Sequence, residues 1–135
     1  MVQGDSTLPL SGFELFGTND GKQLAAYAEK SGTGARDGVF AKLEKDGGWT
    51  GIAFVNTEDS GTPVKLTAYN DNGDVVATAG GYVGGHVKMV YVAETFFSED
   101  ISSATYITYS SDKNIVGFQL NGSSDGTMLD GLPAL

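Results

Sequence analysis

The chain has no cysteine, a single histidine, a single tryptophan and three prolines among its 135 residues. Without cysteine there is neither a disulfide framework nor a thiolate metal site, although secretion stays open. One histidine, His86, cannot build a zinc centre alone. A Ser-His-Asp arrangement would need a carboxylate to orient its imidazole, and none adjoins His86, which sits among Gly80, Gly81, Gly84 and Gly85. A turn or surface histidine is the plainer reading. Scarce proline argues against a disordered Pro-rich linker. No run approaches eighteen apolar residues, so no segment reads as a membrane-spanning helix. Basic residues are also few: 8 Lys and Arg against 17 Asp and Glu give a net charge of −9. That field repels nucleic acid and anionic lipid, so neither is expected as a partner. Residues 1–6 have neither the basic nor the apolar stretch of a signal peptide. The expectation is a processed or excised piece of a longer series.

What the chain does have is glycine, twenty in all, and short strand signals separated by turn residues, which is the all-β pattern. Leu10 to Leu15 reads as a strand and Thr18-Asn19-Asp20-Gly21 as a tight turn. Residues 23–28 fit a strand or a short helix, and residues 31–38 a loop. Val39, Ala41 and Leu43 alternate against Phe40 and Lys42. Residues 49–56 (WTGIAFVN) are apolar on both faces, as in a central strand. Val64, Leu66 and Ala68 alternate inward against Lys65, Thr67 and Tyr69. Asn70 to Gly73 closes a hairpin into a strand over 74–78, the four glycines mark a bend, and 87–92 is a strand before a helical turn within 94–100. Residues 103–109 and 115–120 form a further pair joined by 110–114, with Val116, Phe118 and Leu120 inward. Seven to nine short strands predict an antiparallel, Ig-like β-sandwich, with a closed barrel as the second choice.

The chain also says one thing twice. Residues 12–24 read GFELFGTNDGKQL and residues 117–129 read GFQLNGSSDGTML. At a shift of 105 positions, Gly12, Phe13, Leu15, Gly17, Asp20, Gly21 and Leu24 recur as Gly117, Phe118, Leu120, Gly122, Asp125, Gly126 and Leu129. A fixed self-match marks a repeat architecture. It divides the chain into an N-terminal strand segment, 1–30, and a β domain, 31–135.

Chemistry is thin by comparison. Asp20, Asp71, Asp74 and Asp125 raise calcium, but the run 70–74 lacks EF-hand spacing and fits a hairpin turn; no cofactor is expected beyond a weak surface calcium site. Gly32 to Gly38 lacks the Gly-Lys-Ser/Thr ending of a phosphate loop. Asn121-Gly122-Ser123 is a formal glycosylation acceptor. Glu44, Glu58, Asp59, Glu94, Glu99 and Asp100 are the acids from which a glycosidase pair would have to come, and solvated charge is their default. Trp49 and Tyr69, with Tyr91, Tyr106 and Tyr109, suggest a sugar-stacking platform, against cross-strand aromatic packing.

Three stretches together, residues 48–56 (GWTGIAFVN), 64–73 (VKLTAYNDNG) and 115–118 (IVGF), resemble a β-sandwich unit that recurs in tandem in large secreted and cell-surface bacterial proteins. In such units a W-T-G-[IL]-A-[LFV]-V-N strand precedes a V-x-L-x-A-Y-x-x-x-G hairpin, and a G-F-[EQ]-L-x-G strand comes late. The likeness covers roughly residues 39–135, with 9–30 matching the end of a preceding unit. It implies an extracellular, modular, non-enzymatic role.

The expected function is therefore a structural or adhesive surface module that links to copies of itself or adjacent repeats, as in a filament. Leu10, Gly12, Phe13, Leu15 and Phe16 form the assembly strand, and Gly117, Phe118 and Leu120 its duplicate. Leaving the large apolar side chains wet would cost about 1.5–3 kcal/mol each, so the first copy must find a sheet in its own domain or in a neighbour. The alternative is a carbohydrate-binding module, with polysaccharide as partner and Trp49 and Tyr69 as its stacking residues.

Overall fold

In a computed structural model of the protein, the described residues are 13–17, 19, 24–28 and 34–135. Nine strands and one short helix follow in order: β1 (Phe13–Gly17), β2 (Leu24–Ala28), β3 (Ala35–Phe40), β4 (Trp49–Val55), β5 (Thr62–Tyr69), β6 (Val75–Val83), β7 (Lys88–Val92), α1 (Ala93–Phe96), β8 (Tyr106–Gly122) and β9 (Leu129–Pro133). All pairings are antiparallel. Two of the expected positions, Leu10 and Gly12, lie outside the described residues, as do Asp20 and residues 31–33.

The architecture hangs on β8. Its 17 residues bond β3 and β5 with the first half and β4 and β9 with the second. Seven strands thereby make one sheet, β6-β5-β8-β4-β7 with β3 and β9 also on β8, which curls into a half-barrel. The antiparallel all-β expectation holds. An Ig-like sandwich of two separate sheets is not shown, because one strand carries the hydrogen bonding through both halves.

The turn expected at 110–114 is not a turn. Ala35 pairs with Ile115 and Asp37 with Ser110, so two steps on β3 oppose five on β8. The polar run SSDKN is absorbed as a bulge, the device by which a strand bends. Its hydroxyls and lysine find partners: Ser111 Oγ donates to the Lys113 carbonyl at 2.6 Å and Lys113 Nζ to Ser60 Oγ. Local turn chemistry was a sound signal of irregularity, and flanking strands on both sides kept the chain extended.

Inside the curl, Phe40, Phe54 and Tyr109 form a triangle with ring centroids 5.1–5.8 Å apart. Around it pack Ile52, Val64, Leu66, Ala68, Val83, Ile107 and Ile115. Gly117 lies against this triangle: a Cβ there would stand 3.3 Å from Phe40 and 3.4 Å from Tyr109. The face expected from Val116, Phe118 and Leu120 is therefore reversed. Ile115, Gly117, Gln119 and Asn121 are the buried set, and the three large apolar residues are half-covered on the opposite side. Alternation was right and its phase was wrong, because ring volume from β3, β4 and the first half of β8 takes up the inner space and calls for a small residue opposite. In β3, whose inner face the alternation left open, Phe40 is buried and Val39 half-buried.

Other expectations hold or shift. Strand β4 is central, between β7 and β8, with Ile52 to Val55 all buried. On β5, Val64, Leu66 and Ala68 face inward as expected. The Asn70 carbonyl oxygen of the side chain accepts from the Asn72 and Asp74 N–H groups, closing the turn into β6. Strand β6 continues through Gly80 and Gly81 to Val83, and the bend falls at Gly84 and Gly85 alone. Gly81 is where the ring of Phe96 comes close, with 3.0 Å to an added Cβ.

Phe40→Ala is expected to lower unfolding free energy by about 3–5 kcal/mol in urea titration, since its ring is fully buried against two others. A loss under about 1 kcal/mol would contradict this core. Gly34→Ala is expected to destabilise as well. Its φ is +85° and a Cβ would meet the Ile115 backbone at 2.2 Å, so side chain and main chain collide where β8 resumes after its bulge.

Candidate functional site

The duplicated motif forms the same element twice. In the N-terminal copy, Phe13 pairs with Ala28, Leu15 with Ala26 and Gly17 with Leu24. In the C-terminal copy, Phe118 pairs with Pro133, Leu120 with Gly131 and Gly122 with Leu129. Adding 105 to each number of the first set gives the second. Strand β1 is thus to β2 what the second half of β8 is to β9, and the open choice over residues 24–28 resolves as a strand. The loop between the strands has one length in both copies, and with Asn-Asp-Gly or Ser-Asp-Gly at its centre it sets one register. In the later copy Gly126 has a φ of +71°.

The two hairpins differ in company. The second half of β8 is bonded on its other edge to β4, from Trp49–Gly122 through Val55–Val116. Strand β1 has only β2 as a bonded partner among the described residues. The second strands of the hairpins, β2 and β9, lie beside each other but belong to different sheets.

The proposed stacking residues do not share a platform. Trp49 begins β4 opposite Gly122, and its ring lies over that glycine, where a Cβ would stand 2.4 Å from it. Tyr69 ends β5 opposite Tyr106 and stacks on that ring at 5.1 Å and 12°. These positions mark opposite ends of β8, about 50 Å of extended chain apart at ~3.3 Å per residue. Tyr109 is buried in the core, and burial, helped by Asp37, raises its phenol above the usual value. Tyr82, not singled out beforehand, is the most exposed aromatic side chain among the described residues. It is 66% exposed and leans on Gly61 beside an open groove of about 650 Å³ lined by Pro63, Lys65, Gly80, Ser110 and Asp112.

A buried polar row is the feature that pattern reading missed. Thr50 and Asn121, both buried, and the half-exposed Asp130 are register neighbours across β4, β8 and β9, with buried Gln119 next along β8. Thr50 Oγ1 donates to Asn121 Oδ1 at 2.7 Å and accepts from the Glu44 N–H at 2.9 Å, while Gln119 Nε2 donates to the Lys42 carbonyl at 2.7 Å. These bonds tie the segment after β3 across the end of the curl. Lys42 pairs with Glu44 at 2.6 Å, which chiefly raises its pKa above the ordinary lysine value. Gln119 Oε1, Asn121 Nδ2 and Asp130 Oδ1 have no hydrogen-bond partner among the described residues. Asn121 is 2% exposed, so its glycosylation sequon lies inside the fold. The signal was the alternation of Gly117, Gln119 and Asn121 with Val116, Phe118 and Leu120, read in the wrong phase.

Acids and the histidine fall as follows. Glu44, Glu94 and Asp100 line one cleft of about 420 Å³, with Lys45 and Asp46. The Asp100 carboxyl accepts from the Ser102 N–H and hydroxyl, which lower its pKa, the reverse of what a general acid needs. His86 Nε2 lies 2.8 Å from Asp59 Oδ1, a partner invisible in sequence at 27 residues' distance, and both side chains are exposed. Among the described residues no three metal-ligating side chains cluster, and no helix is long and apolar enough to cross a membrane.

Asp125, in the turn of the second hairpin, accepts from the Thr127 hydroxyl and the Ser123 hydroxyl, both at 2.7 Å, and from the Thr127 N–H at 3.0 Å. These bonds, that of the Thr127 hydroxyl foremost, hold its carboxyl down at about 2. A folded value below the unfolded one means that the turn gains stability above about pH 4 and loses it as pH falls toward 2. Carboxyl titration by NMR is expected to place the Asp125 midpoint near 2, and Thr127→Val is expected to move it upward. An ordinary midpoint in both proteins would contradict the turn geometry.

Comparison with protein-family models finds no match, and comparison with curated proteins finds none either. Among solved structures, the crystal structure of Thermotoga maritima 1070 superposes with a TM-score of 0.61 at 14% sequence identity, covering 76% of this chain and 94% of that one. At that identity the likeness is one of fold.

Proposed function

We propose that the chain is a non-enzymatic structural module that associates with copies of itself or with adjacent repeats through its duplicated hairpin, in an extracellular or cell-surface assembly. In this reading the curled sheet is a sandwich-like unit. One layer is β6, β5, the first half of β8 and β3; the other is β7, β4, the second half of β8 and β9. The observation that carries the reading is the identical register of the two hairpins, one of which has a second bonded neighbour on its first strand and one of which has none among the described residues. A strand edge without a partner is a template for another chain. Repetition of such a contact closes a ring or runs on as a filament, according to its rotation.

The test is molar mass by light scattering across micromolar to millimolar concentration. Mass is expected to rise above the 14.0 kDa of one chain. Added salt should strengthen association, because a net charge of −9 on each copy is self-repelling. One 14.0-kDa species at every concentration and ionic strength would overturn the reading.

The alternative, a carbohydrate-binding module, draws support from the Tyr82 groove rather than from Trp49 and Tyr69. An exposed ring face beside Lys65, Ser110 and Asp112 suits a sugar ring and its hydroxyls. Gel retardation on immobilised polysaccharides that is abolished by Tyr82→Ala would favour this reading, and no retardation of the parent chain on any of them would remove it.

A further inference from the structure

We propose that the strand joining the open edge of β1 is β7 of a second copy of this chain. The inference rests on the self-association reading above and adds the identity of the accepting edge.

The duplicate hairpin shows what β1 lacks. Its counterpart, the second half of β8, bonds to β4 along its whole length. By register and by motif, β1 has the equivalent edge, and among the described residues no strand is bonded to it. A second copy cannot supply β4, because β4 is bonded on both sides, to β7 and β8. It must supply one of its own edge strands.

Outside the β1–β2 hairpin itself, four described strands have an edge to offer, and three carry features that cover or weaken it. Strand β3 carries Arg36 and Asp37, and at Val39 it exchanges two backbone hydrogen bonds with Leu135, at 2.9 and 3.0 Å. Strand β9 ends in Pro133, carries Asp130 and has β2 beside it. Strand β6 has Gly80 and Gly81 in its course, which weaken a strand. Strand β7 (KMVYV) has no proline, no glycine and no register shift against β4. Its Val90, Tyr91 and Val92 are 56%, 46% and 43% exposed. Three consecutive exposed apolar residues on an unpaired edge are a liability in an isolated domain and an asset in a joint.

Length and charge also match. Both β1 and β7 have five residues. The only charged residue of β1 is Glu14 and the only one of β7 is Lys88, so the pairing joins opposite signs within a chain that otherwise repels itself.

The absence of native cysteine makes the test direct, because any disulfide comes from introduced thiols. Full-length chains with one cysteine at position 14, 15 or 16 are mixed with tagged full-length chains with one at 90, 91 or 92, and oxidised. A disulfide requires Cα atoms within about 7 Å, so a mixed dimer reports adjacent strands. At least one β1–β7 combination is expected to give a mixed dimer well above that formed with Val75→Cys on the β6 edge. In cysteine-free chains, Val90→Lys with Val92→Lys is expected to leave the circular dichroism spectrum unchanged and to weaken association at least about tenfold. Association that survives the double substitution, with mixed dimers on β6 or nowhere, overturns the β7 assignment and leaves self-association standing. A chain that stays monomeric overturns both.

Discussion

One strand holds the fold together. Because β8 is shared between two sets of neighbours, the two halves of the sheet cannot slide or separate without breaking the same backbone ladder. Its bend is set by the bulge at Ser111 to Asn114, and the bend decides where the second half of β8 points. That direction places Gly117 under the Phe40–Phe54–Tyr109 triangle and sends Gln119 and Asn121 into the buried polar row. The aromatic triangle and the polar row are then two parts of one inner face, the first holding the middle of the curl by apolar burial and the second tying down its end through the segment 42–44.

The same strand carries the duplicated motif, which gives the repeat a physical meaning. In the C-terminal copy, Gly-Phe-x-Leu-x-Gly serves two faces and two edges at once: small or polar residues inward, Phe118 and Leu120 on the other side, β4 along one edge and β9 along the other. The N-terminal copy keeps the motif and the register but has β2 alone as its bonded neighbour among the described residues. A motif shaped by two neighbours and met by one is the asymmetry from which the assembly proposal grows.

Much of this was legible in the residues themselves. The half-buried alternation of β5, the central character of β4 and the Asn70–Gly73 turn are local features, and local chemistry was enough. The self-match predicted a repeated element, and the shift of 105 converts the pairing register of either hairpin into that of the other. Three features depended on distant partners and were not legible. The phase of β8 reversed because ring volume from other strands filled the inner space. The polar run at 110–114 looked like a hairpin turn because nothing local shows that strands flank it on both sides. The His86–Asp59 contact joins residues 27 apart. The sugar platform failed for a similar reason: Trp49 and Tyr69 are both strand aromatics, but their strands meet opposite ends of β8.

Amide hydrogen exchange along β1, followed as a function of protein concentration, tests the central claim most directly. In an antiparallel hairpin alternate N–H groups point toward the partner strand and away from it. The amides of Phe13–Gly17 that point toward β2 are expected to be protected at every concentration, and those that point away to gain protection only as concentration rises. Outward amides that exchange at one rate throughout, or a β1 unprotected on both sides, would contradict the account.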